Sequence, residues 1–291
     1  VAKKSKTDAD YEDEVKKLIR AQAAVRKSVS DDAKKAAKAL AKGMSDADWR
    51  DYQAVTRYAK ANAKVSAARQ RQIAAAQNAY QARVLALLTG KPVAPAKQVD
   101  VDELRGIPQE SVYGRIADYY RYLTDNPARL EPQSTAKALT ADRAEEVAEM
   151  DITLAVRAQN QQVTKEKKQV KYYRRVIHPE LNESGASCGL CIVASHNTYA
   201  KGQLLPIHFR CKCEVVPVTD ENADYGQAIN DADIQSVYAK AGATTAQELK
   251  ETRFTIRQHG ELGPVLTYEG NRFRGPSQVE DDTTHDKETP S

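Results

Sequence analysis

The residues with the clearest chemical potential are four cysteines and one histidine between positions 188 and 213. Cys188 and Cys191 form a C-x2-C pair, nineteen residues intervene, and Cys211 and Cys213 form a C-x-C pair, with His208 three residues ahead of Cys211. A C-x2-C turn brings two thiolates to one side of a metal ion. In C-x-C the two side chains share a face if the backbone is extended, because side chains alternate along a strand. Cys188, Cys191, His208, Cys211 and Cys213 thus offer five donors to a four-coordinate tetrahedral Zn(2+) site. The spacing is similar to treble-clef or ribbon-like structural zinc sites, although C-x-C is less usual in the second half. A site with every ligand supplied by protein is closed to substrate and contributes folding energy.

Other thiol chemistry fits parts of the pattern. Two disulfides would suit an oxidising compartment, with pairing crossed between the halves, because a bridge inside C-x-C is strained. A redox dithiol at Cys188 and Cys191 calls for a preceding β-α-β pattern, which the sequence lacks. A nucleophilic cysteine needs a base such as His196 or His208, but four clustered cysteines point to structure before catalysis. His178 precedes Pro179 and is biased to extended backbone, so it shapes the entry to the cysteine segment. His196 lies in the turn-rich ASHNTYAKG and is read as a surface residue, and His259 precedes Gly260 at a turn or helix end. No HExxH, GxSxG, P-loop or GxGxxG is present. The expectation is a non-enzymatic chain with no small-molecule substrate.

The elements that must position these residues are mostly helical. The apolar content is rich in alanine and poor in Phe (three), Met (two) and Trp (one). Alanine favours helix but contributes little buried area, so long, thinly packed helices in need of a partner are expected. Residues 1–90 read as an extended helical arm, with starts marked by Ser30-Asp31-Asp32 and Ser45-Asp46-Ala47-Asp48 and a stop at Gly43. A long helix runs from Asp46 to Leu88 and ends at Thr89-Gly90-Lys91-Pro92. Its apolar positions, among them Trp49, Tyr52, Val55, Tyr58, Ile73 and Tyr80, drift around the axis without a clean heptad.

Residues 91–108 read as a linker and 109–177 as a helical core region. Within it Tyr113, Ile116, Tyr120 and Leu123 form a packed face, and a second long helix spans about 140–176. Residues 178–219 form the cysteine module, with short β runs at CIVAS and CEVVPVT. An acidic helix and short β elements joined by glycine turns fill 220–275, and 276–291 is an acidic tail. The fold class is mainly α, followed by a small α+β zinc-stabilised module and short C-terminal strands.

Net charge is +4, unevenly spread. Residues 1–90 carry nineteen Lys/Arg against ten Asp/Glu, and KEKKQVKYYRR at 165–175 is strongly basic. Such runs contact nucleic acid or acidic surfaces, or are solvated helix faces. No apolar run reaches membrane-spanning length, and the opening VAKKSKTDADYEDEVKK has no apolar signal core. A soluble chain made in a cytosol, with no membrane partner, is expected.

The run RVIHPELNESGASCGLCIVASHNTYAKGQLLPIHFRCKCEVVPV resembles the signature of MuF-like minor head proteins of tailed bacteriophages, most closely the actinobacterial-phage branch. The matching residues are Cys188, Gly189, Leu190, Cys191, Ala194, Ser195, Tyr199, Gly202, Leu205, Pro206, Ile207, His208, Cys211, Cys213 and Pro217. The resemblance covers about 172–218, with HGELGPVLT at 259–267 resembling a C-terminal element of the same branch. It implies a minor capsid protein inside the virion head, present in the host cytoplasm during assembly. The implied partners are the portal protein, the major capsid and scaffold proteins, and packaged double-stranded DNA. It also implies structural zinc held by four of the five donors named above. The alternative from another class is a zinc-finger nucleic-acid-binding module, with Lys165, Lys167, Lys168 and Lys171 on its basic face.

Overall fold

A computed structural model of the chain describes residues 8–102, 104–178, 191, 194–201, 213–219, 226–227, 230–231, 254–259 and 263–268. Four helices dominate: α1 (Asp8–Lys42), α2 (Tyr52–Thr89), α3 (Gln109–Asp125) and α4 (Gln133–Glu166). A 3-10 turn, Pro127–Arg129, sits between α3 and α4. Strands β1 (Tyr172–Val176), β2 (Thr198–Ala200) and β3 (Glu214–Val218) form an antiparallel sheet in the order β2-β1-β3. Strands β4 (Phe254–His259) and β5 (Gly263–Tyr268) make an antiparallel hairpin. The chain is mainly α, as its composition predicts. No described helix is long and apolar enough to cross a membrane.

Helix α1 does not restart at Ser30-Asp31-Asp32. It runs through, with Ser30 buried and Asp31 engaged by Lys27 one turn earlier, because an i,i+4 ion pair favours the continuous helix. At the next predicted start, Ser45 and Asp48 cap each other: Ser45 N donates to Asp48 Oδ2 (2.8 Å) and Asp48 N to Ser45 Oγ (3.1 Å). That box closes a single turn, and α2 begins later, at Tyr52, with the Asp51 side chain accepting from Ala54 N (2.6 Å). Gly90 ends α2 at φ 65°, the left-handed cap for which glycine has no steric penalty.

Helices α1, α2 and α4 pack mutually, and α3 lies against α2 and α4. The expected need for an outside partner is therefore met within the chain. The main core joins Trp49, Tyr58, Ile73, Tyr113, Tyr120 and Ile152 to the buried alanines of α1, α2 and α4. The Trp49 ring meets Tyr58 edge-on at 4.9 Å and stacks with Tyr120 at 5.7 Å, geometries that favour aromatic pairs. The predicted face of α3 is buried throughout. Tyr52, counted above as apolar-facing, is 83% exposed.

The seam of α2 is more regular than its apolar residues suggest. Ala59, Ala63, Ser66, Gln70, Ile73, Gln77, Tyr80 and Val84 are all buried and follow one another at alternating steps of four and three. This is a heptad, disguised because Ser66, Gln70 and Gln77 occupy three of its positions. They are satisfied from other elements. Asp151 of α4 accepts from Ser66 Oγ (2.5 Å), Tyr113 Oη (2.9 Å) and Arg105 Nε (2.8 Å). Gln70 Nε2 donates to the Asp151 carbonyl (3.2 Å) and Gln70 Oε1 accepts from Gln109.

Residues 91–108, read as a linker, form an extended strap stapled to the bundle by side chains. Asn78 donates to the Ala96 carbonyl (2.7 Å) and accepts from its N–H (2.9 Å). Gln159 serves Lys97 O and Val99 N in the same way, at 3.1 and 3.0 Å. Helix α4 starts earlier than predicted, at Gln133, and stops at Glu166. The stretch expected to continue it to 176 instead turns and becomes β1. Its aromatic and β-branched residues suit a half-buried sheet surface, and β3 offers a ladder partner from 42 residues further along, with Val176 opposite Glu214 at its start and Tyr172 opposite Val218 at its end.

Candidate metal centre

The central strand β1 carries YYRRV, and four of its five side chains are buried. Around it, the described part of the cysteine module gathers on β2 and β3. Cys191, Ala194 and Ser195 are helical, not β as expected for CIVAS, and all three are buried. Short of a strand partner, this run closes on itself: Tyr199 Oη donates to the Ala194 carbonyl at 2.8 Å. Arg174 Nη1 donates to the Ser195 carbonyl (2.7 Å), which also accepts from Asn230 Nδ2 (3.1 Å). Asn230 further bonds Ile177 N (3.1 Å) and the Arg175 carbonyl (2.7 Å), acting as a clip between β1 and the turn that carries Cys191.

Cys213 sits immediately before β3 and is held by the helices. Its carbonyl accepts from Arg26 Nη1 of α1 at 3.0 Å. The next residue, Glu214, is fully buried, and its Oε1 accepts from Gln77 Nε2 at 2.9 Å. The same Gln77 amide donates to Asn160 Oδ1 of α4 (2.8 Å), while its Oε1 accepts from Gln22 of α1 (2.7 Å). The Val215 carbonyl accepts from Gln81 Nε2 (2.8 Å). One polar chain therefore joins α1, α2 and α4 to the strand that follows Cys213. The central amide, Gln77, uses both its donor and its acceptor, as burial demands.

Of the five predicted donors, Cys191 and Cys213 are described; Cys188, His208 and Cys211 lie outside the described residues. Cys191 is 4% and Cys213 9% exposed. A buried thiol beside a sheet suits a structural ligand, since it is withdrawn from solvent and fixed by its backbone. The Arg175 guanidinium lies 5.3 Å from the centre of the Tyr199 ring, a cation–π distance. Burial pushes the Tyr199 phenol pKa up, negative charge at Cys213 acts in the same direction, and Arg175 opposes both. Cys213, Tyr199 and Arg175 thus share one small electrostatic neighbourhood. If zinc binds here, Cys213 is the ligand whose thiolate these groups face.

The other histidines fall where the sequence placed them in part. His178 is buried just beyond β1, and His196 is exposed in the turn before β2. His259 is the last residue of β4 rather than a helix end. The basic run 165–175 is split by the fold: Lys165, Lys168 and Lys171 are exposed, but Arg174 and Arg175 are buried in β1. Sequence reasoning missed Arg26, Gln77, Gln81 and Glu214, which fasten the module to the bundle. The available signal was the recurrence of Gln70 and Gln77 at heptad spacing on one helix.

Comparison with protein-family models, curated proteins and solved structures returns no match.

Proposed function

We propose that this chain is a structural and assembly component of a tailed-phage head, a minor capsid protein inside the capsid and next to the portal. What supports the reading is the resemblance over 172–218 together with the way that run is built into the bundle. Its first and last strands, β1 and β3, are paired in one sheet, and Arg26, Gln77 and Gln81 fasten the second of them to α1 and α2. That fastening carries the proposal. It makes the helices and the cysteine module one stitched body, which suits a part held between neighbours in an assembly.

In this reading zinc is structural, held by four of Cys188, Cys191, His208, Cys211 and Cys213, and its role is to close the module. The Ala-rich seams are filled from within the chain, so contact with the portal would fall on exterior side chains. Tyr52, Tyr122 and Leu130 are exposed large residues of this kind.

The test is co-expression with the portal protein of the same virus. The expected result is co-purification through size exclusion, weakened by Tyr52→Ser or Leu130→Ser. Failure of the folded chain to associate with assembled portal would overturn the proposal.

A further inference from the structure

Helix α2 has a charge pattern unlike its neighbours. It carries Arg57, Lys60, Lys64, Arg69, Arg71 and Arg83 and not one Asp or Glu. Helices α1, α3 and α4 mix both signs and form ion pairs such as Lys38–Asp142, Arg121–Asp118 and Arg143–Glu146. On α2, Lys60 and Lys64 have no hydrogen-bond or ion-pair partner among the described residues. Arg71 reaches Asp102 only at 3.9 Å, and Arg57 acts on Asp48 through its charge alone.

Arg57, Lys60, Lys64 and Arg71 lie within an arc of about 60° at 3.6 residues per turn, along about 21 Å of helix. All four are exposed. Ala68 and Ala75 complete the stripe and are exposed too, so the ridge between the cations is smooth. Beside it a groove of about 830 Å³ runs between α2 and the start of α3, lined by Lys60, Lys64 and Arg71 and rimmed by Asp102 and Glu110.

We propose that this ridge binds the phosphate backbone of double-stranded DNA. Exposed cations in a row, two of them without partners among the described residues, complement a row of phosphates, and counterion release supplies the affinity. Axial steps of about 4.5, 6 and 10.5 Å separate Arg57, Lys60, Lys64 and Arg71 in turn. Two features select the duplex over other acidic partners. A protein interface is anchored by buried aromatic or large side chains, and single strands stack on aromatics; the stripe has neither, only alanine. The ridge is carried by α2, whereas the lysines of 165–171 lie at the end of α4 and before β1, so the two sets are tested separately. The proposal is independent of the head-assembly reading, since it concerns the purified chain and DNA alone.

The experiment is fluorescence anisotropy of a labelled 30-base-pair duplex titrated with the full chain between 50 and 200 mM salt. With about 0.9 ions released per phosphate, four contacts predict a loss of about 150-fold in affinity across that range. Arg57→Ala/Lys60→Ala/Lys64→Ala leaves one contact and predicts about 3.5-fold. Lys60→Arg/Lys64→Arg keeps the wild-type slope, and the Lys165, Lys167, Lys168 and Lys171 to Ala variant leaves it unchanged. Circular dichroism checks that each variant is folded. No duplex binding at 50 mM salt, or a slope that the α2 triple variant leaves intact, overturns the proposal. So does tighter binding of a single strand or of polyglutamate than of the duplex. Because no portal is present, these outcomes are separate from the co-purification result.

Discussion

Asp151 is the point at which the bundle is most exposed to a single substitution. Its carboxylate is 1% exposed, and the Arg105 side chain that pairs with it, Nη2 to Oδ1 at 2.7 Å, is 5% exposed. Ser66 from α2 and Tyr113 from α3 donate to its other oxygen. Asp151→Ala removes the carboxylate shared by Ser66, Tyr113 and Arg105 and breaks a buried ion pair. Each hydrogen bond to a charged group is worth about 1.5–3 kcal/mol, but these share one acceptor and do not add. Breaking the buried ion pair sets the scale, about 3–5 kcal/mol. Both groups are almost wholly buried, so solvent screening takes little from this figure.

For a body of this size, about 2–4 °C of Tm accompanies each kcal/mol, which puts the expected loss near 10 °C. Urea unfolding read by Trp49 fluorescence is the assay, because the single tryptophan lies in the bundle core against Tyr58 and Tyr120. The double variant Asp151→Ala/Arg105→Leu removes the buried guanidinium as well. It should recover a large part of the loss, as replacing a buried ion pair by apolar groups commonly does. The reasoning fails if Asp151→Ala costs under about 1 kcal/mol, or if the double variant is no more stable than the single one.

Three further outcomes follow from the geometry. Gln77→Leu leaves the buried Glu214 carboxylate with only the Val215 N–H at 3.2 Å among the described residues, at a cost of about 1–3 kcal/mol; hydrogen exchange should rise in β3 before it rises in α3, and uniform protection of β3 would count against the docking described. Arg50 grips Asp125 through two nitrogens at 2.8 and 2.7 Å and, with Thr124, holds that carboxyl down from 3.8 to about 2. A lowered folded pKa gives stability that is present above the unfolded value and lost as pH falls through the folded one. The small Tm deficit of Asp125→Asn at pH 7 should therefore shrink between pH 3.8 and about 2, and a deficit that grows on acidification would contradict it. Cys191 and Cys213 should react with a thiol reagent only after a chelator is added, with one zinc per chain by metal analysis; rapid reaction without chelator, or no zinc, would remove the metal from the proposal.

Much of this molecule is written locally. Gly90 and Pro92 stop α2, Gly43 stops α1, and the Tyr113, Ile116, Tyr120 and Leu123 spacing marks the inner face of α3. These features rest on backbone preferences and on a period within one segment, so a short window contains all the information they need.

What required the folded chain was the choice of partners across it. Residues 172–176 became a strand because β3 lies alongside, although the neighbouring lysines read as the end of a helix. The glutamines of α2 went inward because Asp151, Asn160 and Glu214 meet them there. Taken alone, a glutamine at heptad spacing is equally a solvated residue, since water satisfies its amide as well as a protein group does. Burying it is tolerable only when a distant segment supplies both a donor and an acceptor at the right height. The cysteine spacing announced a site for metal chemistry, but that Cys213 is fastened through Arg26, and Glu214 through Gln77, follows from contacts between residues more than a hundred positions apart. The outer face of α2 shows both sides of this. Its lack of acid is plain in the sequence, while its exposure, and the absence of partners for Lys60 and Lys64 among the described residues, come from which faces the other helices cover.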